Sequence, residues 1–180
     1  MPETLGLFLD RLDTPIGVML IVTDAEGNLR ATDWDDHEPR MQALFSRYYG
    51  KNGFTLEEAP APSSVTGALR QYFAGEITAI DALPVKTAGT AFQREVWEAL
   101  RGIPCGTTTS YGKLAAQIGR PAAVRAVGLA NGANPVGLVV PCHRVIGSDG
   151  SLTGYGGGLH RKSWLLRHES GSGHASDRLF

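Results

Sequence analysis

The spacing of apolar residues gives the chain two textures. Leu5 to Leu12, Gly17 to Thr23 and Leu29 to Trp34 are short apolar-rich segments of strand length. Asp13-Thr14-Pro15-Ile16-Gly17 and Asp24-Ala25-Glu26-Gly27-Asn28 separate them as turn signals, so the three segments predict an antiparallel meander. From Glu38 to Tyr49 the period changes: Met41, Leu44, Phe45 and Tyr48 fall at helical spacing, and Gly50 to Gly53 ends the helix. Phe54 to Glu58 reads as a further strand. Ala59-Pro60-Ala61-Pro62 is a stiff linker, after which Ser63 or Ser64 caps a helix to about Phe73, closed by Gly75. Leu83-Pro84-Val85 reads as a short extended piece.

From Thr90 the pattern is helical. Thr90 and Gln93 form a capping box, Phe92, Val96, Trp97 and Leu100 one apolar stripe, and Gly102 and Pro104 the stop. Tyr111 to Ile118 predicts a second helix, ended by Gly119, and Pro121 predicts the start of a third, to Asn131 or Gly132. Two short helices across a glycine-containing turn read as a helix-turn-helix. The second carries Ala122, Ala123, Ala126, Gly128, Ala130 and Gly132, with Val124 and Val127 available to the core and Arg125 as its one long cationic side chain. A face of that kind suits either a narrow duplex groove or close packing between helices. Val136 to Val140 then reads as a strand. Gly154-Tyr155-Gly156-Gly157-Gly158 reads as a loop that is not stiff, and Leu159 to His168 as a last helix with Trp164, Leu165 and Leu166 inward and Glu169 at its end.

Composition narrows the class. At 180 residues, 42% hydrophobic and 19% charged, the chain has core material for one domain or two small ones, and no apolar run reaches a membrane-spanning length. The start is not basic and lacks a signal-peptide core, so a cytoplasmic protein is expected, with Cys105 and Cys142 as free thiols. No Cys/His spacing marks a metal site. Charge is uneven: residues 1–89 hold 7 Lys and Arg against 13 Asp and Glu, and residues 90–180 hold 10 against 5. The sign changes near Lys86 to Gly89, which sets a domain boundary there and turns the second half toward an anionic partner.

The chemistry centres on Pro141-Cys142-His143-Arg144-Val145. A thiol beside an imidazole can become a thiolate, the strongest soft nucleophile a protein offers. As a bare pair it fits packing as well as catalysis.

Taken together, the motifs carry a resemblance. Pro141 to Val145, Gly154 to Gly158, Trp164-Leu165-Leu166 with His168-Glu169, Phe92-Gln93 with Val96-Trp97, Ile103-Pro104 with Gly106, Ser110-Tyr111-Gly112 and Arg125-Ala126-Val127-Gly128 resemble the O6-alkylguanine-DNA alkyltransferases in order and spacing. The likeness is strong over about 90–169 and looser over 5–89, through Leu69, Tyr72, Phe73 and Gly75; overall it is to the bacterial constitutive, Ogt type.

The resemblance implies an α+β chain. Residues 1–89 would form an N-terminal antiparallel-sheet, ribonuclease H-like α/β domain. Residues 90–170 would form a mainly helical, winged helix-turn-helix-like domain, and 171–180 a disordered tail. It implies direct-reversal DNA repair: binding of duplex DNA containing O6-alkylguanine, extending to O4-alkylthymine, through the minor groove, flipping of the base, and one irreversible alkyl transfer to Cys142. No cofactor or metal is implied, and the protein would be a monomer in solution that can cluster on DNA. His143 would act as base through a water, Glu169 would orient it, and Tyr111 would serve the base pocket and protonation of the leaving guanine. Asn134, Val139, Val140, Val145, Tyr155, Gly156 and Gly157 would shape the pocket, Asn134 as a hinge. Arg125 would fill the space left by the flipped base, with Ser110, Ala123, Ala126, Gly128, Asn131 and Gly132 beside it on DNA. The N-terminal Cys/His zinc site of some relatives is absent, since residues 1–89 hold no Cys and one His, His37. Two other classes fit parts of the pattern: a lesion-binding module that does not react, although such modules lack the acceptor Cys, and a cysteine hydrolase on Cys142, His143 and Glu169.

Overall fold

The computed structural model describes residues 3–171. The expected tail at 172–180 lies outside them; Gly171 is described, as a left-handed cap with φ 71°. The chain divides into two compact units, residues 1–89 and 90–180.

The first unit is a four-stranded sheet with one helix on each face. β1 (Leu5–Thr14), β2 (Gly17–Asp24) and β3 (Leu29–Trp34) are the antiparallel meander, with Leu9 opposite Val22 and Ile21 opposite Thr32. The Asp24 carboxylate stabilises the second turn by accepting from the Glu26 and Asn28 amides, both at 2.9 Å. α1 (Glu38–Tyr49) follows, entered through a 3-10 turn (Asp35–His37) and with Pro39 in its first turn. It lays Met41 and Phe45 on the face formed by Leu7, Leu9, Leu20, Val22 and Ala31. β4 (Phe54–Glu58) then joins β1 in parallel, giving the order β3-β2-β1-β4. The sheet is therefore mixed rather than antiparallel throughout. The α1 crossover brings the chain back to the far edge pointing the same way as β1. α2 (Ser64–Phe73) is capped by the Ser63 hydroxyl and lies on the opposite face, where Thr66 Oγ1 donates to Asp10 Oδ2 at 2.6 Å. Helices on both sides explain why every residue from Met19 to Asp24 is buried. The extended piece at Pro84 to Lys86 brackets Leu29 on the β3 edge, with backbone bonds of 2.8 and 3.1 Å.

The second unit is mainly helical. α3 (Ala91–Arg101) starts at the predicted capping box, both of whose hydrogen bonds are made, and buries Val96, Trp97 and Leu100. β5 (Thr109–Ser110) leads into α4 (Tyr111–Gln117), capped by the Ser110 hydroxyl. α5 (Val124–Gly132) packs against both α3 and α4. It starts three residues later than Pro121 suggests: Pro121 and Ala122 form a turn closed by the Ala123 amide on the Arg120 carbonyl at 2.9 Å. Trp97 Nε1 donates to the Ala130 carbonyl at 2.8 Å and ties α3 to α5. β6 (Val145–Ile146) pairs in parallel with β5, and α6 (Leu159–Ser170) closes the unit.

The apolar run Val136–Val140 is a buried turn, not a strand. The Val140 amide donates back to the Val136 carbonyl at 2.9 Å, and Leu138 is the one non-glycine residue with positive φ (75°) among those described. Such a conformation costs about 1–3 kcal/mol and persists where the surroundings over-determine it. Here Asn134 does so, its side-chain amide donating to the Val140 carbonyl at 2.8 Å and accepting from the Val136 amide at 2.9 Å. Among the described residues no helix is long and apolar enough to cross a membrane.

Candidate active site

The turn fixed by Asn134 delivers a single 3-10 turn, Cys142–Arg144, held by the Arg144 amide on the Pro141 carbonyl at 3.0 Å. Cys142 is half-buried, whereas His143, Arg144 and Val145 are buried. The thiol therefore stands at the edge of a buried polar network.

That network joins His143, Arg144 and Glu169. His143 lies 2.9 Å through Nε2 from Glu169 Oε2, and both side chains are 0% exposed. Arg144 holds the same carboxylate from the side: Nε donates to Oε1 at 2.8 Å, Nη2 to Oε2 at 3.0 Å, and Nη1 reaches the Ile103 carbonyl at 2.7 Å. Burial pushes the Glu169 carboxyl up, but the charge and hydrogen bonds of His143 and Arg144 outweigh it and hold the group well below the usual carboxylate range. An ionised carboxylate only accepts, so His143 Nε2 carries the proton and donates. Nδ1 is buried and without a hydrogen-bond partner, and in the neutral ring it keeps the lone pair. The arrangement can take up one proton at Nδ1. Gly106, at φ 84°, lets the 103–106 loop approach the other side of Glu169: a Cβ there would stand 3.1 Å from the Glu169 carbonyl oxygen.

A second buried cation holds the glycine loop. Lys162 Nζ donates to the carbonyls of Val145 and Thr153, both at 2.7 Å, and more weakly to Gly154 at 3.4 Å. Arg161 Nη1 donates to the Gly157 carbonyl at 3.0 Å. The loop expected to lack stiffness is thus tied to α6 by two buried side chains. Burial pushes the Lys162 ammonium down to about 8, opposed by negative charge at Cys142, which favours the charged amine. Coulomb's law is symmetric, so the ammonium favours a thiolate.

The other predicted pocket residues differ in exposure. Val139, Val140 and Gly157 are buried, Tyr155 is half-buried and Gly156 exposed. Tyr111, at the start of α4, receives a 3.4 Å hydrogen bond from Thr153 Oγ1 on its hydroxyl, and its ring lies where a Cβ on Gly128 would touch it at 3.9 Å.

Of the residues expected on DNA, Arg125, Ala126 and Gly132 are exposed on one face of α5. The others are placed differently. Asn131 is buried, with Oδ1 unpartnered, so it does not belong to that face. Ala123 caps the helix, Gly128 faces Tyr111, and the Ser110 hydroxyl is engaged by the Lys113 amide at 3.1 Å. Val124, expected to be available to the core, is 40% exposed. The face is also less smooth than its composition suggests, because Leu129, one turn beyond Arg125, is 72% exposed.

Arg144 and Gly106 stand in the sequence motifs without a role assigned to them, and Arg161 and Lys162 stand in none. A signal for two of them exists: Arg161, Leu165 and Glu169, with Lys162 and Leu166, fall at i and i+4 spacing on α6, so charged residues occupy the buried stripe.

Comparison with known proteins agrees across both units. Residues 91–171 match the 6-O-methylguanine DNA methyltransferase DNA-binding domain, and residues 8–87 match the ribonuclease-like domain of the same family. A methylated-DNA–protein-cysteine methyltransferase of Shigella flexneri is 51% identical over 165 residues, covering 92% of this chain and 96% of the relative. One from Mycolicibacterium paratuberculosis is 47% identical over 94% of this chain and 96% of the relative. The crystal structure of Mycobacterium tuberculosis OGT in complex with DNA is similar to the chain with a TM-score of 0.75 and 40% identity, covering 92% of this chain and 93% of that one. The chain belongs to the 6-O-methylguanine DNA methyltransferase family.

Proposed function

We propose that this protein repairs DNA by direct reversal, moving the alkyl group of O6-alkylguanine in duplex DNA irreversibly onto Cys142, once per molecule. One observation carries the reading: a half-buried thiol directly precedes a buried His143–Glu169 pair whose second ring nitrogen has no hydrogen-bond partner. In the reaction the thiol proton passes through a water to His143 Nδ1. The sulfur bonds to the alkyl carbon as the carbon–O6 bond breaks, and the electron pair stays on the guanine. Tyr111 supplies the proton that neutralises it, and the Tyr111 proton is restored from solvent. Val139, Val140, Val145 and Tyr155 to Gly158 shape the base pocket, and Asn134 sets the turn that presents the thiol. The carbon is unreachable inside the stack, so the nucleotide is extruded at a cost of a few kcal/mol, on the order of one lost stacking interaction. Arg125, exposed on α5, fills the gap, with Ala126 and Gly132 allowing close approach in the minor groove. O4-alkylthymine is a second substrate of the same pocket. The protein works without a cofactor, as a cytoplasmic monomer that clusters on the duplex.

The test is mass spectrometry after incubation with O6-methylguanine duplex. One methyl per molecule on Cys142 is expected, with none on Cys142→Ser, which still binds the duplex. Continued turnover with no adduct at completion refutes the reading.

A further inference from the structure

We infer that Arg144 is a positioning residue for the transfer: its fork keeps Glu169 ionised, and the ionised carboxylate keeps the His143 proton on Nε2 so that Nδ1 can receive the proton of Cys142. The inference rests on the reading of Cys142 as the acceptor.

Glu169 is 3% exposed, and burial alone favours its neutral form. The groups that bear on it come from the nucleophile turn, His143 through Nε2 and Arg144 through Nε and Nη2. Lys162, about two turns earlier on α6, bonds to the Val145 and Thr153 carbonyls and bears on Cys142 instead. The loop on the other side brings the Gly106 backbone and, through Arg144, the Ile103 carbonyl. If His143 is to accept a proton it begins neutral, and a neutral ring offers Glu169 a dipole, not a charge. Arg144 then supplies a full positive charge to the carboxylate.

Without that charge the balance moves toward burial, and the carboxyl takes up a proton at a higher pH than in the wild type. A carboxylic acid can donate to Nε2, and the imidazole proton then sits on Nδ1. A ring in that tautomer has nothing to offer the thiol. The defect is a matter of protonation, so it is reversible: raising the pH ionises the carboxyl and restores the productive tautomer. A purely structural role for Arg144 would give a loss that pH does not mend.

The experiment is the single-turnover transfer rate from O6-methylguanine duplex between about pH 6 and about pH 9 for wild type, Arg144→Gln, Arg144→Lys and Glu169→Gln, each as a ratio to wild type at the same pH. The ratio removes the ordinary pH dependence of the thiol. The Arg144→Gln deficit is expected to shrink as pH rises, by up to roughly tenfold per unit below the carboxyl midpoint. Arg144→Lys keeps a charge, and its ratio is expected to be flat. Glu169→Gln has no carboxyl to ionise, and its deficit is expected to be constant. A constant deficit for Arg144→Gln, or the same slope in Arg144→Lys or Glu169→Gln, overturns the inference. If Arg144→Gln does not fold, Arg144→Met removes the same charge in its place: a ratio that rises with pH upholds the inference, and a constant deficit overturns it. Failure of the wild type to acquire a methyl group would refute the functional reading itself, a result visible before any variant is compared.

Discussion

Gly106 and Gly27 provide a matched pair for asking whether the placement of Glu169 limits transfer. Both have φ 84°, a conformation in which an added Cβ is strained, but a Cβ at Gly27 meets nothing within 4 Å whereas one at Gly106 stands 3.1 Å from the Glu169 carbonyl oxygen. Replacing either by Ala costs about 1–2 kcal/mol for the left-handed backbone alone. For a chain of this size that is a fall in melting temperature of about 2–4 °C per kcal/mol. Gly106→Ala adds a contact that a few tenths of an ångström must relieve, and the atoms that give way belong to the residue held at 2.9 Å by His143 and at 2.8 Å by Arg144. Small displacements of catalytic groups are costly, with a 1 Å error worth about a hundredfold. A loss of about three- to tenfold is therefore expected for the smaller shift here. Single-turnover transfer and thermal denaturation are measured on both variants. Gly27→Ala should melt lower and transfer at the wild-type rate; Gly106→Ala should melt lower still and transfer more slowly. Equal transfer rates for the two variants would refute the claim that the 103–106 loop sets the position of Glu169.

Two further predictions concern other parts of the site. Arg125→Ala should slow transfer from duplex far more than from free O6-alkylguanine base, measured by single-turnover assays on both substrates; equal losses would remove Arg125 from base extrusion. For Lys162 the folded value is about 8 against 10.5 in an unfolded chain, so the unfolded state binds more protons between those values. Stability then rises as pH climbs through that window and is lost again as pH falls through about 8. Denaturant titrations should show wild type gaining on the order of 3 kcal/mol relative to Lys162→Met between the two limits. A difference independent of pH would mean that folding does not lower the Lys162 pKa, so that burial does not disfavour its charge.

The readable parts of the molecule were those where one local signal acts alone. β1 to β3 follow from apolar segments bounded by turns, and α2 and α3 begin at the Ser63 and Thr90 caps because a hydroxyl meets an orphan amide there. The direction of β4 was not readable, since strand composition reports burial and not polarity; only the crossover through α1 decides it. Val136–Val140 misled because a buried turn and a buried strand are both continuously apolar, and what separates them is the Asn134 amide reaching across the turn. Pro121 suits a first helical turn, but here Arg120 to Ala123 close a separate turn before α5. In the site, Cys142 and His143 stood out by chemistry and Glu169 by resemblance. The glycine loop read as mobile from its own residues, because the cations that hold it, Arg161 and Lys162, come from the next element and resemble ordinary surface charges in sequence.

Helix α6 unites these features. Arg161, Lys162 and Glu169 share a buried stripe with Leu165 and Leu166, and each reaches a different target: the Gly157 carbonyl, the Val145 and Thr153 carbonyls, and the His143–Arg144 turn. Buried charges are a poor source of net stability, because removing each from water costs several kcal/mol before pairing offsets it. An apolar stripe of the same size would hold the helix at least as firmly, but leucines tolerate sliding and rotation that charged groups do not. Shifting α6 by one residue turns its stripe by about 100°. That single shift would take the carboxylate from the imidazole, the ammonium from the strand after the nucleophile and the guanidinium from the glycine loop. The three side chains thus fix one register of one helix, and that register sets the imidazole, the surroundings of the thiol and the glycine loop together.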